Sequence, residues 1–235
     1  MKIRASSAPA LSKCGVWVSQ PFDTAQKSTG HDRHIALEEL FEGNEKPLER
    51  LEADDREGVE WVADYIKAHT SDTWPMEWEK QGKLTVGDES NPALATLSGR
   101  WDLANGPAMF DMKWRRPTDG KSYEAQCAIY AAMNMARGQK GPITFHVMYG
   151  FNKYTDVQQY SKERCEEIIE NLLESIKKNE ATPNPYCNWC GAVAQCPAMN
   201  KLALKVADSF NGEVELFDTN DILQPENLAK ALKFA

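Results

Sequence analysis

The chain has 235 residues, 42% of them hydrophobic and 26% charged, with a formal net charge of −8. That is enough apolar material for a full core, and the acidic balance excludes a protein that coats nucleic acid through bulk positive charge, while leaving room for a nuclease whose cation site itself needs carboxylates. No run of about 18 apolar residues is present and no apolar segment follows the basic start Met1-Lys-Ile-Arg-Ala-Ser-Ser7, so a cytoplasmic protein without a membrane partner is expected.

In chain order, Cys14 comes first, then Ser28 to Phe41, whose apolar residues at 37, 40 and 41 and following Gly43 predict a helix. Gly30 and His34 share a face of it, and the missing side chain at Gly30 would let a ligand approach His34; His31 is the weaker candidate. Asp54 to His69 is a second helix with Val59, Val62, Ala63 and Ile66 on one side. Trp74 to Leu84 alternates as a strand leading towards the next segment; its Glu77 and Glu79 could point at a metal, with a solvated edge the expected place for both.

Ser98 to Arg116 holds the densest chemistry. Asn105-Gly-Pro is a turn between two short apolar runs that carry Asp102 and Asp111, which predicts a β-hairpin bringing two carboxylates together. Lys113 follows Asp111 by two residues and so shares its face on a strand. Paired carboxylates suit a hard divalent cation such as Mg²⁺ or Mn²⁺, and a lysine beside them can orient water or neutralise charge developing on a phosphate. From Lys113 to Lys140 the basic residues are Lys113, Arg115, Arg116, Lys121, Arg137 and Lys140, against the acids Asp119 and Glu124.

Ser122 to Ala136 is an apolar helix on which Gln126 and Tyr130 hang from one face. Ile143 to Tyr149 alternates as a strand beside the hairpin, and residues 161–178 form a helix with Cys165 on its apolar stripe; Cys127 is also expected in the core. Cys187, Cys190 and Cys196 give C-x₂-C-x₅-C-P, a spacing that points to metal rather than to disulfides in a cytoplasmic chain. Three thiolates leave a tetrahedral site one ligand short, and Cys14 is an available fourth. Residues 198–235 suggest two helices around Val214-Glu-Leu-Phe217.

Taken together, Gly30-x-x-x-His34, Gly99-Arg-Trp-Asp102, Asp111-Met-Lys113, Gln126-x-x-x-Tyr130 and the cysteines at 14, 187, 190 and 196 resemble, in order, the motifs of the iron–sulfur subgroup of the PD-(D/E)XK nucleases. This is the RecB-like family that includes CRISPR-adaptation exonucleases and the nuclease domain of the AddB helicase–nuclease subunit. The small format is also similar to phage-borne nucleases. The resemblance implies an α/β (α+β) restriction-endonuclease-like core in residues 1–197, a mixed central sheet flanked by helices and closed by a four-cysteine cluster region, with 198–235 as a helical extension. It implies that His34, Asp102, Asp111 and the Met112 carbonyl hold Mg²⁺ or Mn²⁺, that Lys113 positions the attacking water, and that Gln126 and Tyr130 touch DNA or steady the lysine. It further implies a [4Fe-4S] cluster on Cys14, Cys187, Cys190 and Cys196, with Zn²⁺ as the alternative there. The activity implied is exonucleolytic cleavage of DNA, at ends or in single strands, with a recombination, helicase or CRISPR-adaptation protein as partner. Two other readings are a non-catalytic DNA-end-binding protein of the same fold and a zinc-binding interaction module.

Overall fold

The computed structural model describes residues 1–20, 24–87, 91, 94–114 and 122–209. Arg115, Arg116, Asp119 and Lys121 of the basic segment, and the expected helices around 214–217, lie outside the described residues. In order, the elements are β1 (Lys2–Arg4), α1 (Ala8–Leu11), α2 (Thr24–Phe41), α3 (Ala53–His69), β2 (Glu77–Trp78), β3 (Gln81–Val86), β4 (Ala95–Arg100), β5 (Leu103–Asn105), β6 (Ala108–Lys113), α4 (Glu124–Ala136), β7 (Ile143–Tyr149), β8 (Tyr154–Tyr160), α5 (Lys162–Lys178) and α6 (Pro197–Ser209), with short 3-10 turns between several of them.

The class is α/β, with helices flanking mixed sheets. There are two sheets among the described residues, in the orders β1-β4-β3 and β2-β5-β6-β7-β8, where one central sheet was expected. The reason lies at Trp101-Asp102. The chain leaves β4 there, bends, and re-enters as β5, so the first arm of the expected hairpin is shared between two sheets. The second arm behaves as the sequence suggests: Leu103 faces Phe110 and Asn105 faces Ala108 across an antiparallel ladder. Gly106 (φ +58) makes the turn, and Asn105 is buried beneath it, donating from Nδ2 to the Ser71 and Trp74 carbonyls at 3.1 and 2.8 Å. β6 then pairs in parallel with β7, so α4 is the crossover between them.

The pleat of β6 gives its two faces separate jobs. Phe110 and Met112 point into a core with Leu37 of α2, Val59, Val62 and Ile66 of α3, and Met148 of β7. Asp111 and Lys113 alternate onto the other face, where α4 lies. α4 itself is buried almost all round, from Ala125 to Asn134, as expected of a helix enclosed on every side. β8 was not foreseen: Tyr-Thr-Asp-Val-Gln-Gln-Tyr is too polar to announce a strand, because it lies at the sheet's edge with much of its length open to solvent.

By packing, the chain divides into two compact units, residues 1–9 with 22–171 and residues 10–21 with 172–235. In the second, the segment after α1 is laced to the cysteine-rich stretch. Trp17 Nε1 donates to the Tyr186 carbonyl at 3.2 Å, and Gly191 N–H donates to the Val18 carbonyl at 2.8 Å. Gly15 lies so close to α5 that a Cβ there would fall 2.1 Å from the Ser175 carbonyl oxygen. No helix among the described residues is long and apolar enough to cross a membrane.

Candidate functional site

The bend at Asp102 places that residue beside Asp111, one step beyond the last rung of the β5–β6 ladder. Asp102 Oδ2 accepts a 2.7 Å hydrogen bond from the Met112 N–H, which ties the bend to the middle of β6. The Asp102 carbonyl accepts from the Glu79 N–H at 2.9 Å. Glu79 is a non-glycine residue in the left-handed region (φ +50), and it interrupts the expected Trp74–Leu84 strand between β2 and β3. Its carboxylate, paired through Oε2 with Arg100 at 2.5 Å, stands beside His34 and Asp102. His34 on α2, Glu79 and Asp102 offer ligand atoms that lie within 4.8 Å of one another, the only such set of three or more His, Cys, Asp or Glu groups among the described residues. A hard cation holds its oxygens at about 2.1 Å, so rotations of about an ångström would close this set around Mg²⁺ or Mn²⁺.

The candidate set that the geometry brings together differs from the expected ligands in two ways. Glu79, expected at a solvated edge, belongs to it. Asp111 is instead engaged beside it: Lys113 Nζ meets Asp111 Oδ2 at 2.5 Å, and Gln126 Nε2 donates to Asp111 Oδ1 at 3.2 Å. For Met112, the geometry shows the N–H bond to Asp102. Glu77, by contrast, behaves as the sequence reading has it, in an outward pair with Arg137 at 2.9 Å.

Electrostatics bind the group together. Burial, and then Asp111, hold the Asp102 carboxyl well above the ordinary range. Burial depresses the Lys113 ammonium, but Asp111 and Asp102 outweigh it and its pKa ends up raised, so the lysine stays charged at neutral pH. Burial lowers the His34 pKa to about 4, which keeps the imidazole neutral and able to donate a lone pair to a metal. His31 is exposed. Glu38, one helical turn after His34, is raised by burial first and then by Glu79, so a further carboxyl borders the set.

Gln126 and Tyr130 both border the site: Asp111, Lys113, Asp102 and Gln126 all act on the Tyr130 hydroxyl. Gln126 reaches the site through Asp111. Tyr130 is only 3% exposed, beyond the reach of a bound strand; its hydroxyl donates to the Arg100 carbonyl at 2.9 Å and its ring stacks on Phe145. The glycine of Gly99-Arg-Trp-Asp102 makes room for it, since a Cβ there would lie 2.5 Å from the Tyr130 ring. The space near Gly30 is open: a Cβ there meets nothing within 4 Å among the described atoms.

In the second unit Cys14, Cys187, Cys190 and Cys196 line one cavity of about 160 Å³, with Trp17 and Met199 among its walls. None of the four is joined in a disulfide. Burial raises the Cys187 pKa, the Asn184 N–H opposes that, and Cys14, Cys196 and Cys190 push it further up, so the four sulfurs sense one another. Cys127 and Cys165 are buried elsewhere, at 3% and 1% exposure.

No protein-family model and no curated protein matches the chain. Solved structures give distant likenesses. A candidate exonuclease from Eubacterium rectale is 10% identical with a TM-score of 0.43, over 83% of this chain and 87% of that one. The protein designated SSO0001 is 12% identical with a TM-score of 0.41, over 84% of this chain and 86% of that one.

Proposed function

We propose that this chain is a Mg²⁺- or Mn²⁺-dependent deoxyribonuclease of the PD-(D/E)XK type, an exonuclease of the RecB-like iron–sulfur subgroup. The observation that carries the reading is the meeting of His34, Glu79 and Asp102 with the Asp111–Lys113 pair at one strand bend. One neutral imidazole and two carboxylates suit a hard cation. Such a cation would polarise a phosphoryl oxygen and acidify a water. The chain's own groups supply the rest. Lys113, charged and fixed by Asp111, offers positive charge where a phosphorane gains negative charge. Gln126 fixes the Asp111 carboxylate, and the Met112 N–H fixes that of Asp102, so neither reorganises as charge develops.

The four cysteines, gathered on one cavity, support a structural [4Fe-4S] cluster, with Zn²⁺ as the alternative there.

Incubating linear single- and double-stranded DNA with Mg²⁺ or Mn²⁺ tests the nuclease reading. Cleavage should need the metal and vanish in Lys113→Met. Metal-dependent cleavage at the wild-type rate in that variant removes the assignment, and binding without cleavage by the wild type favours a DNA-end-binding protein of the same fold.

A further inference from the structure

The row of side chains that starts at Lys113 continues across the sheet. Lys113 on β6 is in register with Tyr149 on β7, and Tyr149 with Tyr154 on β8. Residues directly opposite in a ladder point to the same face, so the three side chains form one line from the candidate site to the sheet's edge. The Tyr149 and Tyr154 rings stack at 5.9 Å and 28°; Tyr149 is 8% exposed and Tyr154 51%. The inner ring is therefore fixed, and the outer one lies on it with half its surface open. The line also extends inward, since Lys113 Nζ lies 4.6 Å over the Tyr123 ring.

The turn joining the two strands is held rigid. A Cβ on Gly150 would fall 2.6 Å from the Trp114 ring, and one on Gly58 of α3 would fall 3.3 Å from the Gly150 backbone. Its charges are already matched: Lys153 pairs with Glu57 at 2.5 Å, and Arg33, which lies 4.8 Å over the Phe151 ring, pairs with Asp55 at 2.8 Å. Asp54 stands on the same first turn of α3. Among the described residues of this turn a phosphate backbone would find little net positive charge, and the whole chain is acidic. What the surface offers is a supported aromatic face. Unpaired bases use such faces, and bases inside a duplex cannot.

We infer that Tyr154, backed by Tyr149, is a base-stacking platform for single-stranded nucleic acid whose scissile phosphate lies at Lys113. This deepens the nuclease reading and rests on it. The test compares wild type, Tyr154→Ile and Tyr154→Phe, with isoleucine chosen to suit an edge strand while removing the ring. Mn²⁺-dependent cleavage of a single-stranded dT oligomer is measured beside hydrolysis of bis(p-nitrophenyl) phosphate, which is too small to span the row. Affinities for the dT oligomer, an abasic oligomer of equal charge and a blunt duplex are measured in EDTA by fluorescence anisotropy.

Tyr154→Ile should raise KM and Kd for dT about tenfold and leave hydrolysis of the small diester unchanged. Tyr154→Phe should behave as wild type. The abasic oligomer should bind wild type about tenfold more weakly than dT does, and that difference should vanish in Tyr154→Ile. Duplex affinity should be the same in all three proteins. Unchanged dT affinity in Tyr154→Ile overturns the inference, as does a Tyr154→Phe protein as weak as Tyr154→Ile. If the wild type cleaves neither substrate, the nuclease reading fails, and the binding arm still decides the platform.

Discussion

Asp111 on a strand, and Asp102 at the bend one step beyond its ladder, reach their positions through regular structure, whereas Cys14, Cys187, Cys190 and Cys196 stand on 3-10 turns and connecting segments around a cavity. In the first region groups on regular elements fix the carboxylates: the Met112 N–H holds one, and the Lys113 and Gln126 side chains hold the other. In the second, little regular structure lies between the thiols, and two 3-10 turns of three residues carry most of the path from Cys187 to Cys196. The difference teaches which site can exist before its metal arrives. The carboxylate site is a product of the fold. The thiol site, filled, would help to produce it.

Breaking the first region should give the largest effect. Lys113→Met should lower DNA cleavage by several powers of ten, the loss of a charge aimed at the transition state. It should also lower stability by roughly 3–5 kcal/mol, because it strands the buried Asp111 carboxylate. Lys113→Met/Asp111→Leu should regain much of that stability in thermal melts and none of the activity. A single variant that melts like wild type would show that the pair carries no such burden.

The second region is tested by Cys14→Ser. Iron bound by the anaerobically purified protein should be lost as fully as in Cys187→Ser, with stability lower by roughly 5 kcal/mol on the chain-entropy model for closing a loop of about 170 residues. Cys127→Ala and Cys165→Ala should keep their iron. Full iron and full stability in Cys14→Ser would detach residue 14 from the site.

Acid sharpens the contrast, because the first unit buries a histidine that the proposed chemistry does not use. His146 is 5% exposed, stacks on Phe110 at 4.8 Å and is hydrogen-bonded to the Tyr65 hydroxyl at 3.0 Å; burial, then His69, lowers its pKa to about 4. His69 on α3, with its ring 5.4 Å away, and the Tyr65 hydroxyl are the titratable groups that face it among the described residues. The unfolded chain takes up a proton near pH 6.5 that the folded one refuses until about 4. Stability is therefore complete above pH 6.5 and falls between those values, by up to roughly 3 kcal/mol. Denaturant titrations of His146→Phe should show a shallower slope in that window; an unchanged slope would assign the acid sensitivity to other groups.

The smallest effects separate two neighbouring glutamates. Glu79→Gln should weaken Mn²⁺ affinity at least about tenfold in a metal titration, because it takes a charged oxygen ligand out of the set. Glu77→Gln should leave it unchanged and cost under about 1 kcal/mol, the worth of an exposed pair with Arg137. Equal metal affinities for both variants would remove Glu79 from the set.

What was legible in the sequence follows from how local its cause is. The hairpin turn, the pairing of Asp102 with Asp111, the shared face of Lys113 and the contact of Gln126 all follow from spacing along one or two elements. β7 was legible because Ile143 to Tyr149 alternates under burial, and β8 was not, because an edge strand has no such obligation. Glu79 escaped because its direction depends on one left-handed residue, a conformation that glutamate does not advertise. Tyr130 shares a helix face with Gln126 and borders the same acids, as the spacing suggests. That its hydroxyl donates to the Arg100 carbonyl, 30 residues earlier, leaves no mark in the sequence. The split into two sheets was hidden for a related reason: a bend fixed by a side chain ten residues away, Asp102 on the Met112 N–H, leaves no mark in periodicity.

The lacing of residues 10–21 to the stretch beyond 172 has a consequence in time. Trp17 and Val18 leave the ribosome early and find their partners, Tyr186 and Gly191, only about 170 residues later. At about 5–20 residues per second that is a wait of roughly ten to thirty seconds. A domain the size of the intervening unit folds well within it. Synthesis therefore favours an order of events, with the carboxylate ladder assembled first and the thiols of Cys14 and its three partners brought together last.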